Sequence, residues 1–319
     1  MKLCRVVKPG LLTTVQDLGR PGFQRYGVPK SGAMDTFAFT AANLLVDNQP
    51  SAASLEITLL GPELEFLTKA QVAITGADLS PTLNGEETSC WQTLQVLTGD
   101  TLTFSHPRSG CRAYLAVRGG IDVPTVLGSR STYLRGRFGG FQGRQLKAGD
   151  TVEAQKPTKP LEHNLSIPHE LIPSYSDELT VGVVLGPQSD HFTDEGIQVF
   201  LSNTYTVTID SDRMGYRLAG PKVEQSVSTG MVSDAITAGS VQIPPSGQPI
   251  VMMRDAQTTG GYPKIAVVTT PDVSRLGQLR PNHRVRFLKT SISEARRSLI
   301  EYHRSLSQLR GKLKESPTS

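Results

Sequence analysis

Turn signals interrupt this chain so often that few folds remain open to it. The stretch "SLEITLLGPELEFLTKAQVAITGADLSPTLNG", Ser54 to Gly85, alternates short β-branched and apolar bursts with Gly-Pro, Gly-Ala-Asp and Asn-Gly breaks. Asn84-Gly85 is a hairpin-turn pair, because both residues tolerate the left-handed backbone that a tight two-residue turn requires. "LQVLTGDTLTFSHPRSGCRAYLAVRGGIDVP" repeats the style. Breaks at this density favour a barrel or sandwich over a parallel sheet with crossover helices.

Two segments read otherwise. In "AMDTFAFTAANLLV", Ala33, Phe37, Ala41, Leu44 and Leu45 share one face at helical spacing. In "SISEARRSLIEYHRSLSQLRGKLKE", Ser291 and Glu294 form a capping box. Ala295, Leu299, Tyr302, Leu306, Leu309 and Leu313 then recur at spacings of four and three, opposite a basic face. This predicts an amphipathic helix docked on its own domain. Between Val152 and Pro173, prolines and mixed charges break every period. Beyond that stretch the strand style resumes, with a faint echo: Pro107 to Gly110, a strand and Gly119-Gly120 resemble Pro244 to Gly247, a strand and Gly260-Gly261. The chain of 319 residues is expected to divide into units at 1–155 and 156–290, followed by the helix and tail at 291–319.

Composition narrows function. A net charge of +4 with 6% aromatic residues is too little for nucleic-acid binding without a dense basic patch. Three cysteines without a C-x-x-C pair suit a reducing compartment, so a cytoplasmic setting is expected. No apolar run approaches the roughly 20 residues of a membrane span. There is no Walker phosphate loop, no H-E-x-x-H, no G-x-S-x-G elbow and no Met-Lys-Met carrier lysine. The histidines are scattered, and no metal site is expected.

Polar side chains gather in four glycine-rich stretches instead. "TTVQDLGRPGFQRYGVPKSGAMD" holds Gln16, Asp17, Arg20, Arg25, Ser31 and Asp35. This is more hydrogen-bonding capacity than a connecting loop needs. Gly119 to Asp150 holds Arg130 and Arg135 among other cations, with the Thr132 hydroxyl between them and no acid between Asp122 and Asp150. Its arginines either fork onto an anion or lie on an exposed basic loop. "DSDRMGYRLAG" places Arg213 and Arg217 beside carboxylates, as a salt-bridged corner or an anion site. "RDAQTTGGYPK" offers Asp255, Gln257, Thr258, Thr259 and Tyr262 at a strand end.

These stretches, with "AANLLVDN", "AASLEI", "AYLAVRGGIDVPTVLGSRSTYLRGRFGGFQGRQL" and "QIPPSGQPIVMMRDAQTTGGYPKIA", resemble in the same order the KipA-type family. That family includes the biotin-dependent carboxyltransferase (allophanate hydrolase subunit 2) group and the C subunit of 5-oxoprolinase. The resemblance runs from about Leu11 to Phe287. Asn282-His283 departs from the family's Pro-Gly-Asp turn, and the C-terminal helix lies outside the shared pattern. The resemblance implies a mainly β fold of two cyclophilin-like β-barrel units with few helices. It also implies a KipI-type B subunit and an A subunit of 5-oxoprolinase as partners, a small amide substrate, and ATP shared with the complex. The expected activity is ATP-dependent opening of 5-oxoproline to glutamate, since the chain carries no fused biotin carboxylase or carrier. The alternatives are carboxyl transfer to urea or a related amide from biotin carried in trans, and a binding module that sequesters a KipI-type kinase inhibitor. On this reading Arg25, Asp35 and Asp255 are expected to be catalytic, and Gln16, Asp17, Arg20, Ser31, Arg130, Thr132, Arg135, Arg213, Arg217, Gln257, Thr258, Thr259 and Tyr262 to bind substrate.

Overall fold

The computed structural model of the chain describes residues 1–157, 164–226 and 231–315. It is mainly β, as expected, and forms two compact units. One comprises Met1–Arg20, Ser31–Tyr175 and the chain from Arg304; the other comprises Pro21–Lys30 and Ser176–His303. Residues 158–163, within the proline-rich stretch, lie outside the described residues.

The first unit stacks two sheets. Lys2–Lys8, Glu63–Phe66 and Thr101–Thr103 are successive neighbours in a six-stranded sheet. A five-stranded sheet runs in the order Leu12–Gln16, Ser54–Thr58, Ser109–Val117, Ala70–Asp78, Thr93–Val96. Side chains of a strand alternate between faces, and here both faces of the five-stranded sheet are buried. Val72, Ile74, Leu115 and Val117 join Leu3, Val6, Leu64 and Phe66 in one core. Their neighbours Ala73, Tyr114 and Ala116 point the other way, into a second core built with helix α1 (Thr36–Leu45). That explains why "AYLAV", Ala113 to Val117, is apolar without alternation. Asn84 and Gly85 both have positive φ between two short antiparallel strands, as the hairpin signal requires.

Helix α1 differs from the one-faced helix expected. Every residue from Ala38 to Leu45 is buried. Its second cover comes from the C-terminal helix (Ile292–Glu315), whose Leu309 and Leu313 pack in the same core. The capping box of that helix is present: the Ser291 amide donates to Glu294 Oε2 at 2.8 Å, and the Glu294 amide to Ser291 Oγ at 3.2 Å. The end of the helix thus docks on the first unit, not on the strands that precede it.

The second unit is a closed seven-stranded barrel, in the order Glu178–Leu185, Lys264–Val268, Ser240–Gln242, Ile250–Met252, Gly215–Ala219, Thr204–Val207, Arg284–Lys289. Its first and last strands pair in parallel and close it. Phe200, from the helix Asp194–Ser202, stacks on Phe287 at 4.4 Å between ring centroids. Among the described residues, no helix is long and apolar enough to cross a membrane. No group of three or more His, Cys, Asp or Glu side chains there could hold a metal ion.

Candidate functional site

The opening stretch does not stay together. Thr13–Arg20 and Ser31–Asp35 belong to the first unit, and Pro21–Lys30 to the second.

In the first unit, Asp17 is a clamp. Its buried carboxylate accepts from the Gly19 amide at 2.7 Å, the Ser129 hydroxyl at 2.7 Å, the Arg130 amide at 2.6 Å and the Ser131 hydroxyl. Three of these four donors fix the segment from Ser129 to Ser131 against the end of the Leu12–Gln16 strand. Arg20 is fully buried, donates to the Ser131 carbonyl and lies 5.0 Å from the Phe138 ring centroid. Gln16 donates to Thr14 and to the Thr132 carbonyl, and Thr132 donates to the Val15 carbonyl. The glycines of "FGGFQGR" make room for this packing. A Cβ on Gly139 would sit 2.1 Å from the Ser131 carbonyl oxygen, and one on Gly140 1.9 Å from Thr132 Oγ1. The protein's own chain therefore occupies the space that bare glycine backbone could have offered a ligand. Arg130 donates through Nε to the Val123 carbonyl, Arg135 is exposed, and Arg144 makes a two-point pair with Asp150.

Asp35 caps α1: Oδ1 accepts from the Phe37 and Ala38 amides at 3.1 Å, and Oδ2 from the Tyr175 hydroxyl at 3.0 Å. Its own amide donates to the Tyr114 hydroxyl, which donates in turn to Glu56 Oε2 at 2.9 Å. Arg112 Nε lies 3.8 Å from Glu56 Oε1. Burial, with the charges of Glu56 and Asp35, holds the Tyr114 phenol well above its ordinary pKa, so it stays a donor. Ser31, nearby in sequence, is buried at a positive φ of 53°. Tyr175 also lines a pocket of about 400 Å³ with Asp78, Glu87, Cys90 and Trp91.

In the second unit, Arg213 and Asp255 form a buried two-point ion pair. Arg213 thus pairs with the fourth stretch and not with the carboxylates of its own, where Asp212 Oδ1 accepts from the Met214 and Gly215 amides. Arg217 is exposed on the Gly215–Ala219 strand. Gln257, Thr259 and Tyr262 are exposed, Thr258 is half-buried, and Thr259–Gly260 pairs with Asp234–Ala235. Arg25 is exposed against the Tyr26 ring.

The site that emerges is a pocket of about 150 Å³ lined by Gln24, Lys30, Ile236, Thr237, Ala238, Met253, Arg254, Ala256 and Gln257. Two cations, two amides and a hydroxyl share its wall with apolar side chains, and among the described residues no carboxylate lines it. Asp255, next in the chain, is already neutralised by Arg213. Lys30 is exposed as a residue, yet the wall packed around its ammonium, and then the Arg254 charge, lower its pKa. Such a wall suits a small anion with an amide-like group. Of the residues expected from sequence, only Gln257 is here. Lys30, Arg254 and Gln24 fall inside the quoted stretches, but no spacing singles them out.

The Carboxyltransferase domain, subdomain A and B, model matches residues 26–289, and the chain belongs to that family. It is similar to the 5-oxoprolinase C subunit of Escherichia coli, at 36% identity over 98% of this chain and 99% of that protein. It is also similar to urea amidolyase of Saccharomyces cerevisiae, at 38% identity over 93% of this chain and 17% of that one. The crystal structure of Kluyveromyces lactis urea amidolyase superposes with a TM-score of 0.91 at 34% identity, covering 97% of this chain and 20% of that chain. This chain therefore spans about a fifth of the urea amidolyases.

Proposed function

We propose that the chain is the C subunit of an ATP-dependent 5-oxoprolinase. It acts with a KipI-type B subunit and an A subunit, and holds 5-oxoproline in the Lys30–Arg254 pocket. The observation that carries this reading is the acid-free wall of that pocket, set beside similarity to a 5-oxoprolinase subunit over 99% of the relative's length. 5-Oxoproline is a small carboxylate fused to a lactam. Arg254 and Lys30 match its carboxylate, and Gln24, Gln257 and Thr237 can pair with the amide group. At about 150 Å³ the pocket is below the roughly 300–1,000 Å³ of drug-sized ligands, so it suits a molecule of this size and not a nucleotide.

ATP fits neither of the two pockets described above. The larger one has Asp78 and Glu87 on its wall and no cation among its lining residues, the reverse of what a triphosphate needs. On this reading nucleotide chemistry belongs to the partner subunits. The TM-score of 0.91 to a urea amidolyase favours a second reading, carboxyl transfer from biotin borne on another chain, with the same cations holding the carboxyl group.

The test is glutamate release from 5-oxoproline with the three subunits added singly and together. Turnover is expected only with all three, and Arg254→Ala should raise the KM for 5-oxoproline at least tenfold with the KM for ATP unchanged. Turnover by this chain alone overturns the reading, as does biotin-dependent carboxylation without glutamate release.

A further inference from the structure

Ring opening poses a problem that binding alone does not solve. When water has added to the lactam carbon, the C–N bond breaks and its electron pair moves onto the ring nitrogen. An unprotonated amide ion is too basic to leave, so a proton must reach that nitrogen as the bond breaks. In 5-oxoproline the nitrogen is bonded to the carbon that bears the carboxylate. A cation beside that carboxylate therefore stands next to the leaving nitrogen as well. The pocket supplies two cations of different kinds. Arg254 is a permanent charge with a planar fork suited to the carboxylate, and it does not release a proton. Lys30 carries a single ammonium that can.

We propose that Lys30 is a catalytic residue whose Nζ–H protonates the ring nitrogen as the C–N bond breaks, while Arg254 holds the carboxylate. The inference rests on the pocket being the 5-oxoproline site. The step balances: water supplies the oxygen and hydrogen added at carbon, Lys30 passes one proton to nitrogen, the former water hydroxyl releases one to solvent, and solvent recharges the amine. The phosphoryl group that ATP supplies stays on the former lactam oxygen through this step and leaves afterwards as phosphate, by hydrolysis. Arg254 has a second effect. Added to the larger effect of crowding, its charge lowers the pKa of Lys30, which makes the ammonium a better acid. Among the described residues no carboxylate lines the pocket, and Asp255 is tied to Arg213.

Lys30→Arg separates charge from acidity, because it keeps the cation and removes the transferable proton. In the assembled complex, this variant should keep the KM for 5-oxoproline within about threefold and lose kcat by about a hundredfold or more, the low end of general-acid contributions. The donor form is the protonated amine. Wild-type kcat should therefore fall as pH rises through the lowered pKa of Lys30, and Lys30→Arg should lack that limb. Lys30→Cys alkylated with 2-bromoethylamine rebuilds an ammonium of lower pKa. It should recover kcat with the limb displaced to lower pH, which also guards against a folding defect in the arginine variant. A wild-type complex that turns over while Lys30→Arg matches its kcat and pH profile overturns this proposal alone. A wild-type complex that releases no glutamate overturns the functional reading, and this one with it.

Discussion

Arg213 and Asp255 face each other in the second unit with Nε 2.9 Å from Oδ2 and Nη2 3.1 Å from Oδ1, both side chains 4% exposed. The Asp255 amide also donates to the Arg213 carbonyl at 2.8 Å, so backbone and side chains tie the same two residues. This join fixes the segment that carries Arg254.

Removing one partner leaves a buried charge without its counterion, which costs about 3–5 kcal/mol. Arg213→Met and Asp255→Leu should each lower stability by that order in urea unfolding. The double variant should recover most of the loss, because no bare charge remains. Additive losses would show that the two side chains act independently.

Asp17 accepts from four donors at once, and hydrogen bonds to a charged acceptor contribute about 1.5–3 kcal/mol each when a partner is lost. Asp17→Asn has the same shape but turns an amino group toward some of these donors. It should cost about 3 kcal/mol and speed hydrogen exchange at the Arg130 amide, which binds Oδ2 at 2.6 Å. A variant with native stability and slow exchange there would remove Asp17 from this role.

Local signals announced what local physics decides. The Asn84-Gly85 hairpin and the Ser291–Glu294 capping box stand where their residues place them, since both depend on neighbours within a few positions. What covers α1 was not legible, because Leu309 and Leu313 arrive from more than 260 residues away. The same holds for the site. Glycine density marked stretches and not single side chains: Asp17, Thr132 and Arg20 face the protein's own chain, whereas Lys30 and Arg254, some 220 positions apart, line one candidate pocket. Glu56, Arg112 and Tyr175 had no sequence signal, since a buried network is defined by side chains meeting across strands.

Burial pushes the Cys4 and Cys90 thiols up to about 12 from 9.0. At pH 8 the thiolate fraction is then about one in ten thousand, too small for alkylation on ordinary timescales. Iodoacetamide at pH 8 should leave both unmodified in the native protein and label both in denaturant, read by mass spectrometry. The linkage has a definite sign. A folded pKa raised above the unfolded one gives stability that is complete below pH 9 and is lost as pH rises toward 12, because only the unfolded thiols ionise in that window. Cys4→Ala should flatten the alkaline fall in stability. An unchanged slope would mean that Cys4 is not the titrating group.

Asp35 stands where a catalytic carboxylate was expected, with both oxygens already committed to the first turn of α1 and to Tyr175. Asparagine caps a helix about as well as aspartate, whereas alanine costs about 1–2 kcal/mol. Asp35→Asn keeps Oδ1 for the Phe37 and Ala38 amides, and the Tyr175 hydroxyl can turn to accept from the new amino group. It should therefore melt close to wild type and retain glutamate release in the assembled complex. Asp35→Ala should lower stability by about 2 kcal/mol, since the loss of the cap also leaves the Tyr175 hydroxyl without its acceptor. Its activity per folded molecule should hold. A stable Asp35→Asn complex that loses turnover by a hundredfold or more would give Asp35 a chemical role in addition to the cap, because only the charge and the proton-accepting oxygen separate the two side chains.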